Sequence, residues 1–304
     1  GNSGGSKKSG GRLQVEKLND RLAAGADRVR QVVMSKKAYK AYQKAQKADQ
    51  KAATGKAADQ VWVLRFKGDM QASQVDSLRR EVTAIIQVAS ASDEVVVVLE
   101  SPGGAVSGYG LAASQLVRLK DAGLSLTVCV DKVAASGGYM MACIADRIIA
   151  APFAVVGSIG VLAQVPNIHK LLQRHQVDVE VLTAGKHKAP MTLMGEKTEE
   201  GRQKLLDDLK AIHERFKELV GRYRPQLDLA AVTEGDFWLA EDARELGLVD
   251  QLETSDAYLL AKANDADVVS VTWVPQVGVD QRLKKAFSSS LQGAVESLSQ
   301  RYIP

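Results

Sequence analysis

Four short stretches of the chain combine small residues with groups able to do covalent chemistry. In Ala134-Ala135-Ser136-Gly137-Gly138-Tyr139 a hydroxyl sits among neighbours too small to crowd it, so a substrate backbone has room to approach. A serine in such a place also serves as a helix N-cap, and the pattern admits both roles. In Ser101-Pro102-Gly103-Gly104 the paired glycines either make a plain turn or open the amide of Gly104, with that of Gly103, to an oxyanion. Thr183-Ala184-Gly185-Lys186-His187-Lys188-Ala189-Pro190 is a polar loop behind an apolar run. A lysine there is solvated by default. Held against apolar walls, however, a lysine is pushed toward its neutral form and can take the proton of a serine hydroxyl without histidine or aspartate. Gly157-Ser158-Ile159-Gly160 is either a tight turn or the site of a hydroxyl that accepts from a lysine ammonium and orients it.

Other chemistries find less support. The sequence contains no HExxH, no CxxC pair, no P-loop and no GxSxG, and its histidines, His169, His175, His187 and His213, are scattered. Cys129 and Cys143 lie in apolar settings, where a thiol behaves as a small hydrophobe.

The elements that must position these residues alternate. Residues 61–66, 94–100, 125–130, 147–152, 178–183 and 268–273 are short apolar runs that predict strands. Between them lie helical patterns over 73–89, opened by a capping Ser73, over 106–121, and from about Ser136. A long helix is predicted over 198–224, with shorter ones near 241–246 and 256–263. Strand and helix in alternation predict an α/β fold with a largely parallel sheet flanked by helices. The candidate residues then fall in loops at the carboxyl ends of strands, where such folds place their sites.

Charge divides the chain. Residues 1–60 hold 14 Lys and Arg against 5 Asp and Glu, and the other 244 hold 26 against 31. The net +4 therefore belongs to the amino-terminal arm, and the whole-chain basicity does not argue for nucleic acid. A hydrophobic fraction of 45% with two cysteines excludes wholesale disorder and a disulfide scaffold. No apolar run reaches the roughly 20 residues of a membrane span. The divisions expected are a flexible 1–11, a basic helical arm over 12–60, a catalytic domain over 61–275 and an amphipathic tail over 276–304.

Taken in order and at their separations, the motifs resemble those of the S49 serine peptidases, the signal peptide peptidase A group, and most of all its bacterial SohB-type members. The likeness runs from about Leu13 to Leu252 and includes Leu246-Gly247-Leu248-Val249-Asp250. It implies a ClpP/crotonase-like fold and a serine endopeptidase acting on unfolded or membrane-derived, signal-peptide-like peptides, without cofactor or metal. By motif, Ser136 is the nucleophile, Lys188 the base and Ser158 the residue that orients the lysine. Gly103, Gly104 and Gly137 supply the oxyanion hole, and Lys186 is a solvated neighbour. Ala189 departs from the acidic residue that members often carry after the lysine. The resemblance further implies a homo-oligomer in which Ser136 and Lys188 of different chains can pair. It implies an anchor upstream of Gly1 in the bacterial inner membrane, with the site facing the periplasm. Two other readings stay open on the residues alone: a crotonase-type enzyme acting on coenzyme A thioesters, which would leave Ser136 and Lys188 without a role, and a catalytically silent assembly scaffold.

Overall fold

The computed structural model describes residues 10–52 and 59–276. The chain begins with β1 (Gly11–Lys17), α1 (Leu18–Val33) and α2 (Lys36–Ala52), followed by β2 (Gln60–Lys67), α3 (Val75–Val88) and β3 (Glu94–Glu100). Next come α4 (Val106–Asp121), β4 (Ser125–Val130), β5 (Val133–Ala135), α5 (Gly137–Ala142), β6 (Arg147–Ala150), β7 (Val155–Gly157) and α6 (His169–Arg174). The long α7 (Glu199–Tyr223) leads to α8 (Leu229–Val232), β8 (Phe237–Leu239), α9 (Ala240–Glu245), β9 (Gln251–Leu252), α10 (Ser255–Lys262) and β10 (Asp267–Pro275).

Seven strands form one sheet in the order β1-β10-β2-β3-β4-β6-β9, parallel throughout except for the antiparallel pair β1–β10. This is the α/β architecture that the alternation predicts. The EVVVVLE run shows why. Val95, Val97 and Leu99 enter the core beneath α3, α4 and α5, while Val96 faces the opposite layer with Cys129, Ile149 and Leu259. A strand buried on both faces is continuous in its apolar residues, as parallel-sheet strands are.

Several expectations are corrected. Residues 11–17 are a strand on the sheet edge and not the start of a helix, because β10 offers them a ladder from Gly11↔Pro275 to Lys17↔Val269. The helix of the arm starts only at Leu18, which is buried in the second core layer. Ser73 does not cap α3: its hydroxyl and amide both bond the Asp69 carboxylate, and the helix starts two residues later. Residues 178–183 are not a strand. Val181 and Leu182 are exposed, and no neighbour pairs with this alternating segment among the described residues. Thr198 does cap α7, accepting from the Gly201 amide at 3.0 Å. The tail beyond residue 276 and the first nine residues lie outside the described part. Among the described residues no helix is long and apolar enough to cross a membrane.

A second, three-stranded sheet, β5-β7-β8, joins the main one where Ser101, after β3, bridges Ala134, and its strands β5 and β7 lead into Ser136 and Ser158.

Candidate active site

β5 and β7 run parallel, with Ala135 opposite Gly157. The next residue on each strand is a serine, so Ser136 and Ser158 leave adjacent strands side by side. Both turn there with φ 52°. A positive φ on a residue with a side chain is strained by roughly 1–3 kcal/mol and persists only where the surroundings hold it. For Ser136 the hold is explicit: its amide donates to Gly157 O at 2.8 Å, and its carbonyl accepts from Met140 at 2.9 Å as α5 begins. The result is a sharp strand-to-helix turn that presents a half-buried hydroxyl.

The Ser101–Gly104 turn is fixed against the same strand. Ser101 N donates to Val133 O, and Ala135 N donates back to Ser101 O, at 2.9 and 3.0 Å. Ser101 Oγ accepts from Gly103 N at 3.0 Å and bonds the Tyr109 hydroxyl at 2.6 Å. That hydroxyl donates to Asp69 O at 2.8 Å, so the Ser101 hydroxyl is the donor to Tyr109. Gly103 has φ 94°, and a Cβ there would meet Ser136 Cβ at 2.6 Å and Gly137 N at 2.8 Å. Only glycine allows this turn to lie so close to the hydroxyl of Ser136.

A cavity of about 640 Å³ opens over these residues. Ser136, Ser158, Gly103, Gly104 and Gly137 line it together with the apolar Met70, Val106, Met140, Leu162 and Phe216. Such a cleft, apolar with a few convergent polar groups, suits an organic substrate. The cysteines lie outside it and are unreactive: burial pushes both thiols up to about 12. Among the described residues no His, Cys, Asp and Glu cluster in a way that could hold a metal ion.

Comparison with known proteins bears on this geometry. The family model described as peptidase family S49 matches residues 118–269, and its N-terminal companion, peptidase family S49 N-terminal, matches residues 2–116. A probable protease SohB of Haemophilus influenzae is 49% identical over 80% of this chain and 67% of its own length. The chain belongs to peptidase family S49. As a member it is a serine-type peptidase. A probable protease SohB of Buchnera aphidicola subsp. Schlechtendalia chinensis is 52% identical over 66% of both chains. The S49 chain thus spans about two thirds of the length of these relatives. A solved structure of a membrane-bound stomatin-specific protease shares 17% identity with a TM-score of 0.45, covering 68% of this chain and 86% of its own.

Within this S49 chain the candidate residues divide. Ser136, Ser158, Gly103, Gly104 and Gly137 meet at one cavity. Lys188 does not line it: the residue is exposed in the irregular segment between α6 and α7, its amide donating to Gly185 O at 3.1 Å. Lys186 is exposed as well and pairs with Glu200 at 3.0 Å, holding that carboxyl below its usual range. The amide of Gly103, expected as an oxyanion donor, is bonded to Ser101 Oγ in this structure. The amides of Gly104 and Gly137 have no protein acceptor among the described residues. The sequence reading also missed Tyr109 and His213. Tyr109 is fully buried, and its pKa is raised by that burial. The two act through contacts that no local motif encodes.

Proposed function

We propose that the chain is an endopeptidase working by a Ser136–Lys188 dyad, with Lys188 delivered to Ser136 by a neighbouring copy. The observation that carries this reading is the pairing of Ser136 and Ser158 at the ends of β5 and β7, above a cavity whose described lining holds no lysine and whose ionisable side chains are Glu234 and His213, the latter with Nε2 bonded to two carbonyls. Lys188, exposed at a turn of the irregular segment between α6 and α7, faces outward where another subunit can meet it. In the reaction Ser136 Oγ attacks the scissile carbonyl carbon while the neutral Lys188 amine takes its proton. The developing oxyanion accepts from the Gly104 and Gly137 amides. Collapse of the tetrahedral intermediate expels the amine, which receives the proton from the lysine ammonium, and water then releases the acyl group by the same route. The Ser158 hydroxyl accepts from the ammonium and aims it.

An apolar cleft open to an extended chain supports unfolded or membrane-derived, signal-peptide-like peptides as substrates. The basic arm supports contact with an anionic membrane surface; the bacterial inner membrane and the periplasmic side come from the family resemblance alone. The test uses Ser136→Ala and Lys188→Ala separately and co-assembled, on an unstructured peptide. Each alone is expected to lose activity by at least ~10³-fold. Mixed oligomers, which contain some intact pairs, are expected to regain a measurable fraction. Full cleavage by the Lys188 variant would sink the dyad, and mixed oligomers without recovery would sink the pairing between chains.

A further inference from the structure

His213, in the middle of α7, is half-buried and lines the cavity that holds Ser136 and Ser158. Its Nε2 lies 2.8 Å from Thr233 O and 3.2 Å from Ile159 O. Carbonyl oxygens only accept, so Nε2 carries the proton and donates to both. The two carbonyls belong to different parts of the chain. Ile159 directly follows Ser158 and is fully buried; Thr233 is also buried and opens the 233–236 segment between α8 and β8. That segment already holds the serine turn from its other side, since Ser158 N donates to Asp236 O at 2.6 Å. Gly160 lies so close to it that a Cβ would stand 3.1 Å from Gly235 Cα.

The Ser158 turn, with φ 52°, is therefore a strained piece of backbone held by two separate elements, α7 and the 233–236 segment. One imidazole N–H ties the turn and the segment together to α7. We propose that His213 is a positioning residue of this peptidase: through Ile159 O and Thr233 O it locks the Ser158 turn to α7 and keeps the Ser158 hydroxyl beside Ser136. The inference rests on the reading of Ser158 as the residue that orients the catalytic lysine. It gives α7, whose other cavity contacts are the apolar Ile212 and Phe216, a role in the chemistry besides walling the cleft.

The test compares His213→Leu, which keeps bulk without a donor, with His213→Gln, whose amide nitrogen reaches about where Nε2 does. His213→Asn has a donor that falls short. Leu and Asn are expected to lower kcat about tenfold with KM within about twofold of wild type, and Gln to restore kcat to within about threefold. Should the Leu variant fail to fold, the contrast between Gln and Asn still decides. Adding His213→Leu to Ser158→Ala is expected to cost less than about twofold more, because both act through one hydroxyl. A Leu variant as fast as wild type, a Gln variant as slow as Asn, or losses that multiply in the double variant would overturn the proposal while leaving the dyad intact. A silent Ser158→Ala would overturn the lysine-orienting role, and with it the route by which His213 acts. Inactivity of every protein, wild type included, on peptides would instead count against the proposed function.

Discussion

Gly103 shows how much of the site is decided by one absent side chain. It has φ 94°, and a Cβ would stand 2.6 Å from Ser136 Cβ and 2.9 Å from Ala135 O. Gly103→Ala therefore imposes two costs: a strained backbone, and a methyl group driven against Ser136. Gly123, at the end of α4, separates them. It has φ 80° with open space around its Cβ position, so Gly123→Ala carries the backbone cost alone. Gly123→Ala is expected to lose about 1 kcal/mol in urea unfolding and to keep kcat. Gly103→Ala is expected to lose more stability and, while folded, to fall at least ~10²-fold in kcat, since a shift of about 1 Å at a nucleophile has that effect. Equal kcat in the two variants would mean that the Ser101–Gly104 turn does not set the position of Ser136.

Among the elements, the late stretch Leu246–Asp250 belongs to the family pattern yet lies away from the cavity, and its work is to join helices. The Arg224 guanidinium, buried at the end of α7, donates to both Asp250 oxygens at 2.9 and 2.8 Å and to Gly247 O at 2.7 Å. Asp250 also accepts from Ile148 N on β6, at 2.7 Å. The Tyr139 hydroxyl on α5 donates to Leu248 O at 2.8 Å, which links this stretch to the helix that directly follows Ser136. Asp250→Asn strands a buried guanidinium beside an amide and is expected to cost about 3 kcal/mol of stability. Its kcat at a temperature where it stays folded is expected to hold within about threefold, and an unchanged melting temperature would remove the pair from the stability account. Elements of this kind differ in how legible they are. β2, β3, β4 and α7 are readable because burial on both faces, or on one helical stripe, leaves long periodic runs. β5, β7 and β8 have three residues each, too few for any period to show, and the Ala135↔Gly157 register that joins the two serines is a non-local fact. Ser136 and Ser158 were visible because small residues cluster at their turns. His213 was not, because on the sequence it is one more polar residue of an amphipathic helix, and its partners lie 54 and 20 residues away.

At the scale of the molecule, the basic arm is stitched to the acidic body rather than hung from it. β1 closes the sheet edge, and Asn19 Nδ2 bonds Ala263 O and Ala266 O while its Oδ1 accepts from Val268 N. The seam has a weak point in β10, which pairs with β2 only from Asp267 to Ser270. Among the described residues no strand pairs with β10 on that side beyond Ser270, and Glu81 of α3 takes the ladder's place: its Oε1 accepts from Trp273 N at 2.6 Å. The residue is 1% exposed, and Oε2 has no hydrogen-bond partner among the described residues. Burial pushes its pKa from the ordinary 4.5 up to about 7, against a small opposing effect of the Trp273 bond. Below pH 4.5 the group is protonated both folded and unfolded. Between 4.5 and about 7 the folded state holds a proton that the unfolded state has released, so stability falls as pH rises through that window. Above it the folded chain carries a buried charge beside an unpaired oxygen. The whole effect is on the order of a few kcal/mol. Glu81→Gln keeps the acceptor for Trp273 N and removes the titration. Urea midpoints measured at pH 5 and pH 8 are expected to drop more for the wild type than for the Gln variant, with the variant the more stable of the two at pH 8. Parallel pH dependences would show that Glu81 gives up its proton without resistance, and that the seam between arm and body is indifferent to its charge.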